Sequence, residues 1–199
     1  MRIETNDGTA EAPRIAMNTD GNVFVVWHQH DGSRNHIWSN RYRVGAGWET
    51  AKQVEANDTS DAKYPDIAID RYGDAIVTWQ LGDGATQGSA WANAFTDGLG
   101  WGTPILIGPV NGISFPTNIV MDQSGNAMAS MFQWDGIRAS YWTIRYGTDS
   151  GWGTATLMES IVGPFSPRPG LAVHPNGSIV ALWPHENAGI NELWALWFK

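Results

Sequence analysis

The sequence predicts an all-β chain of four similar sheets set around an axis, and three observations predict it. Glycines recur at a 52-residue interval, at Gly21, Gly73, Gly125 and Gly177. Large apolar residues keep the same interval at Trp27, Trp79, Met131 and Trp183. A second series, Trp38, Trp91, Trp142 and Trp194, holds it within one residue, and each copy has an aromatic residue four positions later. In a strand, positions i and i+4 share a face. The flanking Gly, Asp and Asn leave too little room for a helix of ordinary length.

Each repeat reads as four short antiparallel strands. The first follows a proline, at Pro13, Pro65, Pro116 or Pro169, as in Asp66-Ile67-Ala68-Ile69. A tight turn comes next, as in Asn18-Thr19-Asp20-Gly21 and Asp122-Gln123-Ser124-Gly125. Asn or Asp caps such a turn through its side chain, and Gly supplies the positive φ. The second strand is almost wholly apolar, as in Val23-Phe24-Val25-Val26-Trp27, which predicts a sheet covered on both faces. The third strand carries the second Trp series. The fourth follows Gly47-Trp48, Gly100-Trp101 or Gly151-Trp152, over 49–55 and 153–159 in the first and third units. A doubly covered four-stranded sheet repeated at this interval describes a β-propeller blade. Stacked β-solenoids have shorter repeats, and immunoglobulin-like arrays need about twice the length per unit.

The ends predict closure of a four-bladed ring. Arg2-Ile3-Glu4 resembles Gln53-Val54-Glu55 in the outer strand of the first unit, and the fourth unit stops at Lys199 after its third strand. The N-terminal stretch is therefore expected to add the missing strand to the last blade and remove an open edge. The expected organisation is a single domain over 1–199, with units 13–64, 65–115, 116–168, and 169–199 plus 1–12. The same pattern also fits a four-repeat piece of a larger ring, or a dimer whose two copies pair into one.

Composition bounds the partners. The formal net charge of −8 argues against nucleic acid and anionic membranes, which reward a basic face. No apolar run is long enough for a membrane span. There is no cysteine, which fits a reducing compartment or a bacterial surface equally. Met1 to Gly8 does not read as a signal peptide.

The order of proline, apolar strand, Asp-x-x-Gly turn, apolar strand ending in Trp, Trp strand and Gly-Trp resembles bacterial Trp-rich surface repeats allied to the BNR/Asp-box propellers. More distantly it is similar to fucose-binding propeller lectins. Thr148-Asp149-Ser150-Gly151-Trp152 matches an Asp-box in part. The resemblance implies a propeller, an extracellular or cell-surface location in a bacterium, and a sugar ligand. An Asp-box is a folded turn and carries no catalysis by itself.

Candidate binding residues lie in the loops between second and third strands, where the repeats differ most. These are His30, Asp31 and Arg34 in the first unit and Asp83 and Gln87 in the second. Trp134, Asp135 and Arg138 belong to the third, and His185, Glu186 and Asn187 to the fourth. Polar groups beside aromatic rings suit sugar hydroxyls and ring faces. The Gly-Trp indoles Trp48, Trp101 and Trp152 are expected near the rim, free to stack on a sugar. Trp134 and Trp197 break the repeat and are expected to be exposed.

No cofactor or metal is expected. His28 and His30 alternate beside Asp31, but the pair does not recur and reads as a polar strand end. Asp20, Asp70 and Asp122 could gather Ca²⁺, but turn capping accounts for them. No HExxH, GxSxG or phosphate-cradling loop occurs. A sialidase layout draws residues from six blades, more than four repeats supply. The expectation is therefore a binding module and not an enzyme, directed at a carbohydrate or cell-surface ligand. A protein-interaction scaffold is the second reading, and a glycoside-directed hydrolase the third.

Overall fold

The computed structural model describes residues 1–4, 7–55, 60–82, 88–162, 169–187 and 190–199, and all regular structure among them is β. Four antiparallel sheets follow one another along the chain. The first contains β1 (Ala10–Met17), β2 (Val23–His30), β3 (Asn35–Arg43), β4 (Gly47–Trp48) and β5 (Lys52–Gln53). The second contains β6 (Ala62–Ile69), β7 (Ala75–Leu81), β8 (Ser89–Thr96), β9 (Gly100–Trp101) and β10 (Ile105–Leu106). The third contains β11 (Ile113–Met121), β12 (Ala127–Trp134), β13 (Arg138–Gly147), β14 (Gly151–Trp152) and β15 (Thr156–Val162). The fourth has three strands, β16 (Gly170–Val173), β17 (Ile179–Asn187) and β18 (Ile190–Phe198). No helix among the described residues is long and apolar enough to cross a membrane.

The sheets pack as successive blades. The inner strand of each lies across the sheet before it: β6 against β1, β2 and β3, and β11 against β6, β7 and β8. Apolar side chains fill each junction. Phe24, Val26, Ile37 and Val54 meet Ile67, Val77, Trp79 and Phe95. Ile76, Ala90, Ala92 and Ile107 meet Ile119, Ala129, Met131 and Ile144. Phe132, Ala139 and Tyr141 meet Ala181 and Trp183. Burying a whole side chain of this kind contributes roughly 1.5–3 kcal/mol, so these junctions supply the main force holding sheet to sheet.

Polar side chains lace the inner strands together. Asp66 Oδ2 accepts from the backbone N–H of Ile119 at 3.0 Å and from Asn118 Nδ2 at 3.1 Å. Asn118 Oδ1 accepts from the N–H of Leu171 at 2.9 Å. Position 14 of the first unit is Arg, whose Nε lies 4.0 Å from Asp66 Oδ1.

The turns after the inner strands form as their residues dictate. Oδ1 of Asn18, Asp70 and Asp122 each accepts two backbone N–H bonds within its own turn. Gly73 and Gly125 have φ of +89° and +88°. Space makes the same demand: a Cβ on Gly125 would sit 2.8 Å from Thr148 Cγ2 and 3.2 Å from Asp70 Oδ2 of the sheet before.

Three expectations need correction. The prolines do not open the first three inner strands, although β16 does begin directly after Pro169. β1, β6 and β11 begin ahead of them and bulge at Ala12-Pro13, Tyr64-Pro65 and Pro116-Thr117, because a residue without an N–H fits a ladder only where the ladder is broken. The outer strand is split in the first two sheets, where the Gly-Trp pair and a later dipeptide bind separate parts of β3 or β8. Residues 1–4 do not close the last blade: no strand among the described residues pairs with the outer edge of β18. Instead the Ile3 carbonyl accepts from Asn40 Nδ2 of the first sheet at 2.7 Å.

Candidate functional site

Antiparallel sheets have two ends. The tight turns after β1, β6, β11 and β16 lie at one, and the loops after β2, β7, β12 and β17 at the other. The starts of the inner strands, with their bulges, share that second, loop-bearing end. Titratable side chains gather there at the first junction.

Asp31 begins the loop after β2. Its Oδ1 accepts from the N–H of Ser33 at 2.7 Å, from the Ser33 hydroxyl at 2.8 Å and from the N–H of Arg34 at 2.9 Å. Those bonds, led by the Arg34 amide, hold its carboxyl far below the usual carboxylate range. Asp31 Oδ2 lies 3.0 Å from His36 Nε2. On the other side of the ring, His36 Nδ1 lies 2.7 Å from Oε1 of Glu55, a carboxylate with a buried side chain. Gln53 Nε2 donates to the same oxygen at 3.1 Å. The imidazole is therefore fixed from both sides.

A second group lies beside it at the starts of β1 and β6. His28 Nε2 lies 3.4 Å from Glu11 Oε2. Burial pushes the His28 pKa down, against the pull of Glu11. The edge of His28 meets the Tyr64 ring at 5.8 Å between centroids. Tyr64 is exposed and sits at φ +54°, a left-handed conformation uncommon outside glycine, and Ala12 in the matching bulge sits at +49°. Asp61 accepts from the Asn35 N–H at 2.8 Å and pairs with Lys63 at 2.6 Å. Burial pushes Asp61 up, but Lys63 and the Asn35 amide outweigh it and hold the carboxyl low. Carboxylates and imidazoles at fixed positions beside an open phenol ring can hold sugar hydroxyls and one sugar face.

The third junction has a related group. Glu159 stands 104 residues after Glu55, at the same repeat position. Its Oε2 lies 2.8 Å from His185 Nδ1 and accepts from Trp183 Nε1 at 3.3 Å. His185 stacks on Trp194 at 4.1 Å. The Tyr141 hydroxyl is buried without a hydrogen-bond partner, and burial together with Glu159 pushes its pKa up to about 12.

The predicted residues are thus divided. Asp31, His30 and Arg34 share the loop end of the first sheet, where His30 Nδ1 accepts from the Gly32 N–H at 3.0 Å. Asp135 closes its own turn through the N–H groups of Ile137 and Arg138, and Arg138 is exposed. Trp134 is half-buried against the third junction, whereas Trp197 is open to solvent. His185 belongs to the Glu159 group. Glu186 and Asn187 pair with Asn191 and Ile190 in the β17–β18 hairpin; their side chains, and all of Asp83 and Gln87, lie outside the described residues. Trp48, Trp101 and Trp152 lie at the turn end, away from the loops. Trp48 meets the Tyr42 ring edge-on, and Trp152 meets Tyr146. Trp101 packs edge-on against Phe24 and Phe95 and donates to Ser39 Oγ across the first junction at 3.0 Å. A cavity of about 730 Å³ also opens at that end between the third and fourth sheets, beside Asp122, Arg145 and Lys199.

Sequence reasoning missed Glu11, Glu55, Asp61, Lys63 and Tyr64. A signal existed for Glu55, an acid following apolar Val54 in an outer strand and repeated at Glu159. Tyr64 carried none, because its exposure follows from the bulge.

No protein-family model and no curated protein matches the chain. Solved structures do. The chain is similar to a Trypanosoma rangeli sialidase in complex with sialic acid, with TM-score 0.63 and 12% identity over 96% of this chain and 37% of that one. It is similar to a GH93 α-L-arabinofuranosidase of Fusarium graminearum, with TM-score 0.59 and 12% identity over 98% of this chain and 66% of that one. It is also similar to an endo-arabinase from Bacteroides thetaiotaomicron, with TM-score 0.58 and 12% identity over 94% and 74%. The chain therefore spans between about a third and three quarters of the structures it matches. These likenesses show an all-β, propeller-like fold. They also correct the expectation of a protein that is not an enzyme. The similar structures are glycan-acting enzymes.

Proposed function

We propose that this chain is a glycan-acting propeller that holds its sugar at the loop end of the first junction. Tyr64 offers the ring face there, and Glu11, Asp31 and Asp61 offer acceptors for hydroxyls. The observation that supports the reading most is the Asp31–His36–Glu55 connection beside an exposed tyrosine on a left-handed backbone. Local strain of that kind costs about 1–3 kcal/mol and collects at working sites. Glycoside chemistry needs carboxylates at set separations around a cleft, and Glu11 and Asp31 are open to solvent while anchored to histidines. A polymeric glycan as substrate fits a location outside the cell.

The test is a panel of arabino- and sialyl-oligosaccharides and other glycans, read by calorimetry and by release of new reducing ends. Tyr64→Ala is expected to weaken binding at least tenfold with the far-ultraviolet dichroism unchanged. Glu11→Gln is expected to lower product release more than binding. A folded protein that gives neither heat nor product across the panel would sink the proposal.

A further inference from the structure

The two ends of the arc of sheets carry complementary halves of one junction. In the first junction Ile37 packs among Val54, Ala62, Val77 and Trp79. Each of those four has a counterpart at the front of the first sheet. Ala10, Val25 and Trp27 stand one repeat earlier, and Ile3 takes the place of Val54. The hydrogen bonds identify that last pair: Asn93 Nδ2 donates to the Val54 carbonyl at 2.9 Å, and Asn40 Nδ2 donates to the Ile3 carbonyl at 2.7 Å. Ile3, Ala10, Val25 and Trp27, with Pro13, Glu4 and Glu11, wall a cavity of about 150 Å³. The side chain that would fill it is the counterpart of Ile37. Ile37, Ala90 and Tyr141 hold that repeat position in the first three sheets, each 0% exposed, and Leu193 holds it in the fourth at 73%.

Trp27 is already buried in the single copy, at 4% exposed, but other residues of both faces lie open. Ile67 and Ile119 are 6% and 3% exposed, whereas Ile15 at the same position is 69% exposed. Leu182 and Trp197 lie open beside Leu193. The backbone is complementary too. Among the described residues β18 has no strand on its outer edge, and no third strand lies beside residues 2–4, where the Ile3 carbonyl takes the outer-strand hydrogen bond. Within one chain these halves stay apart, because β1 makes no packing contact with β16, β17 or β18 like those between neighbouring sheets.

We infer that a second copy of this chain supplies the missing half: Leu193 of each copy enters the Ile3–Trp27 cavity of the other, and residues 2–4 add to the edge of β18. The contact is head-to-tail, and two such contacts close a ring. The occupant follows from the three internal junctions, which the new contact continues in the same register.

Light scattering on the 199-residue chain is expected to give twice 21.8 kDa. Leu193→Glu is expected to give 21.8 kDa with unchanged dichroism, since the side chain is exposed in the single copy. The chain has no cysteine, so Ala10→Cys and Leu193→Cys variants can be oxidised separately and together. A disulfide-linked pair of chains only in the mixture supports the proposal. A wild-type mass of one chain overturns it, as does a mass that grows with concentration. A link formed within one chain of the double variant also overturns it, because the arc would then close on itself.

Discussion

The two ends of the sheets solve different problems with the same strands. At the turn end the solution repeats: Asn18, Asp70 and Asp122 cap their turns in one way, and glycine follows three residues later. At the loop end repetition is partial: Asp31 and Asp135 cap their loops alike, but the residue two places before the Trp differs from sheet to sheet. His36 bridges two carboxylates in the first sheet, Ser89 stands two residues before the Trp of the second, and Glu192 does so in the fourth. A repeated device carries the fold and a unique one is available for function. The four predictions below test that division, from the largest effect to the smallest.

Arg41→Ala strikes the turn end hardest. The guanidinium is buried, lies over Phe24 and Phe95 at 5.4 and 5.3 Å, and pairs with Asp97 at 2.6 Å across the junction. Breaking a fully buried pair costs 3–5 kcal/mol; Asp97 is partly solvated, so a loss of about 2 kcal/mol is expected in urea unfolding. Arg41 also holds the Asp97 carboxyl low. That contribution is present above the usual value of 3.8 and fades as pH falls through the lower folded value, so the gap between wild type and variant should narrow in acid. Gly125→Ala comes next. Its φ of +88° and its neighbours in the adjacent sheet both resist a Cβ, for an expected loss of about 1–2 kcal/mol.

Tyr64→Gly tests the loop end by moving stability and function in opposite directions. Glycine accepts φ +54° without strain, so thermal unfolding is expected to show a gain of up to about 1 kcal/mol. Sugar binding should fall as it does for Tyr64→Ala. A variant both less stable and fully active would show that the bulge belongs to the scaffold. Asp70→Asn has the smallest effect. Burial pushes the Asp70 pKa up, so its contribution to stability is full in acid and is lost as pH rises through the folded value. Asn18 makes the same cap without a charge. The substitution is expected to raise the unfolding free energy by a few tenths of a kcal/mol at pH 7, and the gain should vanish below the usual value of 3.8.

Much of this fold was legible residue by residue. Ala75 to Trp79 announced a strand covered on both sides, and Asp70 to Gly73 announced a capped turn. The site was less legible. Asp31, His30 and Arg34 could be picked out because they sit in a variable loop. Glu11, Glu55, Asp61 and Tyr64 come to the same end from three other stretches, and no spacing rule joins them. Trp101 was misplaced for the same reason: alternation assigns a residue to a face, and the neighbouring sheet decides whether that face is open.

Local order was determined by the sequence alone, because a strand's two-residue period and a turn's need for Asn, Asp or Gly are properties of a few adjacent residues. Relations between repeats were decided only by the tertiary structure. Whether Arg41 finds Asp97, whether Asp66 takes the Ile119 amide, and whether the arc leaves Leu193 and Ile15 uncovered all depend on how one sheet is rotated against the next. That angle is set by the packing of whole faces, and no single stretch of chain encodes it.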